Sequence, residues 1–322
     1  MPYRTALPRI ALPVLFVCLC LVPSAVIAGS APAFWVATKG TAKVYLFGSM
    51  HFGRQDFYPL PDVVEQALIN SPQLVVEVNL LNLGMDAQQI IFRHAGLPDN
   101  LSLTDVISSK TYSTLTEQAN GNNVPVAAFS RFQPWYVTLT LVEAEIRKTD
   151  LRQQLGLDLY FLKRAAAIKK PVRELETLDS QLALFSSIAF ADQEKFLSQT
   201  LADIQKSRDY LKAAADAWMS GDVHMLSKTL IEPFQTHQET TQLFDTMFTQ
   251  RNIKMTTTIT DYLESGESAF VVVGVGHMLG EQGIVQLLTA RGFGVRRIST
   301  SSRVDDSPVE PALPASPATG LP

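Results

Sequence analysis

Two histidines stand in the same local setting near opposite ends of the chain. His51 closes Gly48-Ser49-Met50-His51 directly after Val44-Tyr45-Leu46-Phe47, and His277 closes Gly274-Val275-Gly276-His277 directly after Phe270-Val271-Val272-Val273. An apolar, β-prone run that stops at glycine lets the backbone turn sharply. It sets the next polar side chain over the carboxyl edge of a sheet, where α/β proteins place their sites. A charge interrupts a third such run, as Glu77 in Leu74-Val75-Val76-Glu77-Val78, and Glu176 is the last carboxylate of Lys170-Pro171-Val172-Arg173-Glu174-Leu175-Glu176. Isolated burial of a carboxylate costs on the order of several kcal/mol. Glu77 therefore meets a metal or an arginine, or it faces solvent at a strand end, and Glu176 carries the same ambiguity. Two imidazoles with one or two carboxylates and no sulfur suit Zn, Mn, Co or Fe and leave positions open for water or substrate. That is a hydrolytic arrangement in outline. The metal would acidify a water, a spare carboxylate would move the proton, and Arg251, just upstream of the second glycine turn, would hold a developing oxyanion.

Elements that position these residues can be read from the pattern. After the first turn, Pro59-Leu60-Pro61 signals a helix start, and Val63, Val64, Ala67 and Leu68 recur at helical spacing until Asn70-Ser71-Pro72. A strand at Leu74 to Val78 follows. The second turn repeats this order, with Ile284, Leu287 and Leu288 marking a helix and Gly292-Phe293-Gly294-Val295 leading into a closing strand. Two strand, Gly-x-x-His, helix, strand units predict an α/β fold with a pseudo-symmetric, two-half sheet core at about 34–82 and 251–298. Between the halves, about 83–250, the pattern is helical and predicts a cap, except for Val172 to Glu176, which reads as a strand of the core sheet. Phe196 to Trp218 reads as a long amphipathic helix ended by Gly221, and Leu226 to Phe234 as another.

The remaining chemistry-bearing residues are weaker. His94, His224 and His237 lack a strand-turn context and read as structural or solvent-facing, while Phe132, Trp135 and Tyr136 read as packing between cap and core, or as a substrate wall. Gly274-x-Gly276 is not a dinucleotide fingerprint, since position 279 is Leu279. There is no phosphate-binding Walker loop, no nucleophile elbow and no His-Glu-x-x-His.

Composition and the two ends bound the function further. With 46% hydrophobic and 18% charged residues among 322, the chain is globular in class, and a net charge of −4 gives no electrostatic attraction to nucleic acid. Residues 1–28 read as a secretory signal peptide: Arg4 and Arg9, an apolar run from Ile10 to Leu21, then Val26-Ile27-Ala28. That run, broken by Pro13 and followed by Pro23, is shorter than a membrane-spanning helix needs, so no transmembrane span is expected after cleavage. Lipidation at Cys18 is the alternative, disfavoured by Val17 before it. Both cysteines, Cys18 and Cys20, fall in this leader. The mature chain then has no disulfide and no thiolate metal ligand, as suits a bacterial periplasm or exterior. Residues 299–322, rich in Pro, Ser and Ala, read as a disordered tail.

The motifs together resemble the TraB/GumN (TraB/PrgY/Tiki) superfamily, nearest its secreted bacterial GumN-like branch, from about Phe34 to Ile298. The resemblance rests on Val44-Tyr45-Leu46-Phe47-Gly48-Ser49-Met50-His51, Phe57-Tyr58-Pro59-Leu60-Pro61, Leu74-Val75-Val76-Glu77 and Gly156-Leu157-Asp158-Leu159-Tyr160-Phe161. It continues through Lys170-Pro171-Val172, Leu175-Glu176-Thr177, Arg251-Asn252 and Val271-Val272-Val273-Gly274-Val275-Gly276-His277. The resemblance implies a site of His51, Glu77, Glu176, Arg251 and His277. His51 and His277 would be metal ligands, Glu77 a ligand or general base, Glu176 a second carboxylate and Arg251 an anion stabiliser, with Asp158 and Asn252 in support. Tiki members resemble divalent-metal-dependent proteases using manganese or cobalt. The expectation is thus a periplasmic or secreted metal-dependent hydrolase, peptidase-like, holding Mn, Co or Zn and acting on a peptide or protein. The alternatives are a non-catalytic binder of a secreted peptide or porphyrin, or an accessory of polysaccharide machinery.

Overall fold

A computed structural model of the chain describes residues 32–121, 124–232 and 244–299. The leader read in residues 1–28, the tail beyond Ser299, and His237 lie outside the described residues. Six strands form one sheet in the order β4-β3-β5-β2-β1-β6: β1 (Phe34–Lys39), β2 (Ala42–Ser49), β3 (Leu74–Val76), β4 (Val172–Glu174), β5 (Ala269–Gly274) and β6 (Gly294–Arg297). β1 and β2 form a hairpin in which Lys39 pairs with Ala42. Gly40 takes the turn with φ of +56°, the left-handed region that glycine enters without steric penalty. β1 runs antiparallel to both of its neighbours, and the pairs β2–β5, β5–β3 and β3–β4 are parallel.

This order explains why residues so distant in sequence meet. β2 and β5, the strands that precede the two Gly-x-x-His turns, are hydrogen-bonded neighbours with Gly48 opposite Val273 and Ser49 opposite Gly274. Both turns therefore leave the sheet at one carboxyl edge. The two units are not used alike beyond that point: β3 lies directly beside β5, whereas β1 stands between β2 and β6.

The helices are α1 (Asp62–Asn70), α2 (Ala87–Ala95), α3 (Leu103–Val106), α4 (Ser109–Gly121), α5 (Pro134–Ile146), α6 (Leu157–Ala167), α7 (Leu178–Ser186), α8 (Phe190–Ser220), α9 (Val223–Leu230), α10 (Gln250–Ser265) and α11 (Ile284–Ala290). None among the described residues is long and apolar enough to cross a membrane. Among the described residues two hydrophobic cores result. The larger joins the sheet to α1, α6, α10 and α11, and the smaller packs Leu97, Leu103, Leu115, Val137, Leu141, Leu197 and Leu201 within the helical insertion. α8 ties the two together. Its Leu197, Leu201 and Ile204 belong to the cap, while Ala215, Ala217 and Trp218 belong to the sheet core, before Gly221 ends the helix with φ of +67°.

Alternation along the strands puts Phe34, Tyr45, Phe47 and Phe270 on one sheet face. Phe161 of α6 fills that face, with its ring 4.7 Å from Phe47 and 5.1 Å from Phe270. Trp218 packs 6.0 Å from Phe47 and donates its indole N–H to the Gly48 carbonyl at 2.8 Å. The sheet edge carrying His51 is therefore held from below by buried aromatics. Outside it, α2 and α7 are latched together. His94 contacts Ser186 Oγ at 3.0 Å and Asp179 at 2.9 Å, and Arg93 also pairs with Asp179. A serine, a histidine and an acid in a row could suggest nucleophilic catalysis. Ser186, however, ends α7, where the exposed carbonyls disfavour an oxyanion, and its hydroxyl donates to Ala183 O. The row is a structural clamp, in keeping with the sequence reading of His94.

Phe161 has no exposed surface. Phe161→Ala should lower the unfolding free energy by about 3–5 kcal/mol, the usual cost of emptying a buried aromatic site, measured by urea denaturation.

Candidate functional site

Glycine decides how closely the segments approach at the carboxyl edge. A methyl on Gly48 would stand 2.9 Å from Val275 Cγ2, and one on Gly156 would stand 2.1 Å from the His51 carbonyl oxygen. That second approach, with Leu157 N–H donating to Met50 O at 3.0 Å, lays the start of α6 against the first histidine turn. Asp158, in the first turn of α6, then reaches two polar side chains of that turn, Ser49 and His51. It accepts a hydrogen bond from Ser49 Oγ at 2.7 Å and faces His51 Nδ1 at 2.9 Å. The sequence grouped Gly156, Leu157 and Asp158 by resemblance alone, and the contact supplies their physical reason.

His277 is held differently. It lies in the turn after β5, with only 5% of its side chain exposed, and Phe248 packs its ring 5.3 Å away. Its Nδ1 is 2.6 Å from Asn252 Oδ1, while Asn252 Nδ2 donates to Gln282 O at 2.7 Å. Because the amide nitrogen is committed to a carbonyl, Oδ1 must accept, and His277 must carry its proton on Nδ1. The lone pair of Nε2 is left facing Glu77 Oε1, 3.9 Å away. His51 and His277 thus share a strand edge but not an environment, since 63% of the His51 side chain is exposed.

The strand read at Leu74 to Val78 ends two residues earlier than expected. β3 stops at Val76, so Glu77 stands on the carboxyl edge itself, nearly buried. Its Oε1 accepts the Gly274 N–H at 2.6 Å, and its Oε2 accepts from Arg251 Nη2 at 2.6 Å and Gln181 Nε2 at 3.0 Å. Glu176 accepts from Arg251 Nε at 3.0 Å and Nη2 at 2.6 Å, and from Gln181 Nε2 at 3.0 Å. Of the two compensations weighed for Glu77, the arginine is in place. Arg251, expected to face a developing anion, has its guanidinium engaged by two existing ones and by Met247 O at 3.2 Å. One cation between two carboxylates leaves the cluster with a surplus negative charge.

Phe248, Arg251 and Asn252 lie three and four residues apart across a π-helical turn, Asp245–Thr249, and the start of α10. One helix face therefore touches His277 twice and both carboxylates. Neither Gln181 nor Phe248 was singled out by the sequence, because a helical Gln or Phe there has no local signature of function.

Burial and charge set the protonation states. Burial would raise the Glu77 pKa, but attraction to His277, Arg251 and His51 and the Gly274 amide bring it down to about 2. Where His277 is neutral, Arg251, His51 and the Gly274 amide carry the lowering. Burial lowers the His277 pKa to about 4, against the pull of Glu77. Asp158 raises that of His51 to about 9 in spite of desolvation, an attraction that the exposure of this ring screens.

Among the described residues no group of three or more His, Cys, Asp or Glu side chains is disposed to hold a metal ion as it stands. The donors nevertheless converge on one cradle. A methyl on Gly274 would lie 3.3 Å from Glu77 Oε1, 3.7 Å from His277 Cδ2 and 3.9 Å from His51 Nε2. Two imidazoles, each with Nδ1 turned to an oxygen, and one carboxylate oxygen form a donor set that fits a divalent cation.

The pH dependence of stability has a definite sign. The folded pKa of His277 lies below its ordinary 6.5, and that of Glu77 below its ordinary 4.5. Both contributions are complete above those ordinary values and fade as pH falls, through 6.5 to about 4 for His277 and through 4.5 to about 2 for Glu77. Thermal midpoints measured across pH should show His277→Gln losing less stability between pH 6.5 and 4 than the unaltered protein.

Comparison with known proteins places this chain in a family. The chain matches the TraB/PrgY/gumN family over residues 33–297. It is 26% identical to an Escherichia coli (strain K12) protein, YbaP, described as uncharacterized, over 80% of this chain and 92% of that one, and equally similar to YbaP of Shigella flexneri. It is 21% identical to a protein of Amphimedon queenslandica named a metalloprotease TIKI homolog, over 84% of this chain and 62% of that one. No solved structure matches it significantly. With the match spanning both histidine turns and the insertion between them, the chain belongs to the TraB/PrgY/gumN family.

Proposed function

We propose that the protein is a metal-dependent hydrolase of the peptidase type, with a divalent ion, Mn, Co or Zn, held by His51, His277 and Glu77. The observation that carries this reading is the convergence of His51 Nε2, Glu77 Oε1 and the His277 ring on the cradle at Gly274. Both histidines have Nδ1 turned to an oxygen, from Asp158 and from Asn252. Metal-binding histidines are commonly oriented in this way. The surplus negative charge shared by Glu77, Glu176 and Arg251 favours a cation, and the distant relative named a metalloprotease supports the reaction class.

When bound, the ion supplies Lewis acidity, making a water more acidic and a carbonyl more electrophilic. The protein's own groups do the rest. Glu77 offers Oε1, its less heavily hydrogen-bonded oxygen, as the third donor. Glu176 stays turned to Arg251, so that this guanidinium fixes the carboxylate pair. Asp158 and Asn252 hold the two imidazoles in orientation, and Phe248 shields His277 from water on its ring face. His51, the open member, leaves the approach for substrate on its own side. On the leader-like residues 1–28, the substrate is a peptide or protein outside the cytoplasm.

Elemental analysis after loading with Mn²⁺, Co²⁺ or Zn²⁺ should find about one ion per chain, and metal-dependent cleavage of a peptide library should accompany it. His51→Ala and His277→Ala should lose the ion and lower cleavage by about a hundredfold or more, in line with the loss of a catalytic metal, while circular dichroism shows them folded. Absence of both metal uptake and metal-stimulated cleavage in the unaltered protein would sink the reading.

A further inference from the structure

Gln181 is placed unlike any other group at the site. It sits in the first half of α7, five residues after Glu176, and the intervening turn is fixed by a reciprocal cap. Thr177 Oγ1 accepts the Ser180 N–H at 3.0 Å, and Ser180 Oγ accepts the Thr177 N–H at 3.0 Å. The chain cannot change the spacing of Glu176 and Gln181 without breaking that cap. Beyond it, Asp179 and Ser186 clamp α7 to α2 through Arg93 and His94.

From this fixed position the side-chain amide lies 3.0 Å from Glu77 Oε2 and 3.0 Å from Glu176 Oε2. Both partners are carboxylate oxygens, which only accept, so the nitrogen must face them and spend one N–H on each. Arg251 Nη2 donates to the same two oxygens, at 2.6 Å each. The two Oε2 atoms are thus bridged twice, once by a cation and once by a neutral amide. Glu176 is further engaged by Arg251 Nε, at 3.0 Å from Oε1 and 3.1 Å from Oε2. Glu77 Oε1 differs: among the described residues it receives only the Gly274 N–H, and it stands 3.9 Å from His277 Nε2. Of the four carboxylate oxygens, it alone pairs a single donor with a position facing an imidazole.

We infer that Gln181 is a positioning residue for Glu77: it pins Oε2 back against Arg251 and so holds Oε1 forward, toward Gly274 and the histidines. Without the amide, Glu77 is free to turn and meet Arg251 with both oxygens, as Glu176 does, since bidentate pairing is the favoured geometry of guanidinium and carboxylate. The neutrality of the amide matters as much as its two donors. A lysine at 181 would cancel the surplus negative charge, and a glutamate would add a third carboxylate with no proton to give. The inference deepens the metal-hydrolase reading, and only its metal-binding arm rests on it.

Gln181→Met in the full chain tests this, because methionine keeps the length and packing of the side chain and removes both N–H donors. The first measurement needs no metal: hydrogen exchange of the Gly274 amide, whose acceptor is Glu77 Oε1. Exchange should accelerate about tenfold or more while the thermal midpoint stays near that of the unaltered protein. The second is Mn²⁺ affinity by titration calorimetry, expected to weaken about 10–100-fold, as for other groups that orient a metal ligand. Gln181→Lys, which keeps donors, should preserve the slow Gly274 exchange and still weaken Mn²⁺ binding through its charge. Unchanged Gly274 exchange in Gln181→Met would overturn the positioning role, whatever the metal data show. Failure of the unaltered chain to bind Mn²⁺, with the exchange effect present, would instead count against the metal reading and leave Gln181 in its role.

Discussion

One guanidinium lying between two carboxylates is the interaction on which the carboxyl edge of this protein depends. Glu77, Glu176 and Arg251 come from β3's end, β4's end and the start of α10, and each has about a tenth of its side chain exposed. Taking three charges out of water is costly, and the mutual attraction offsets that cost only when the remaining lone pairs and N–H groups also find partners. Here Gly274, Gln181 and Met247 supply them. Removing Arg251 would leave two buried carboxylates short of compensation, so the three elements are held in one relative placement. A buried ion cluster of this kind adds little net stability, and its consequence is geometric. It fixes where Glu77 points and leaves a net negative field beside two imidazoles.

The sheet below supplies the other half of that geometry. Parallel pairing of β2 with β5 brings the two glycine turns side by side, and the aromatic layer of Phe47, Phe161, Phe270 and Trp218 keeps the edge from shifting. Asymmetry then enters through what each turn meets. The first turn meets the start of α6 and gains an acid at Nδ1 of an exposed His51. The second meets α10 and gains an amide and a phenyl ring, which favour a buried, neutral His277. A pair of like motifs has become one open and one enclosed imidazole.

Legibility in the sequence followed the range of the forces involved. Glycine after an apolar run marks a turn wherever it occurs, so both histidine turns, α1 and the strands β2, β3 and β5 could be read directly. β4 was legible inside a helical insertion because Pro171 and the alternation after it interrupt the helical period. The hairpin strand β1 was not anticipated. Helix ends were read less well, since α8 begins at Phe190 rather than Phe196 and α9 spans Val223–Leu230 rather than starting at Leu226. Gln181 and Phe248 were beyond reach, because their partners lie in other elements and no local pattern marks them.

What the sequence by itself determined is the inventory: two imidazoles on glycine turns, an acid interrupting an apolar strand, no cysteine after Cys20, and a chain order matching one family. Those properties depend on residue type and on neighbours within a few positions, where local sterics and periodicity act. Only the tertiary structure decided the pairings. The sequence left Glu77 open to a metal, an arginine or solvent, and the fold gave it Arg251, Gln181 and the Gly274 amide. Which partner a buried charge receives is set by the order of strands and the packing of helices across long stretches of chain, and no local propensity encodes that order.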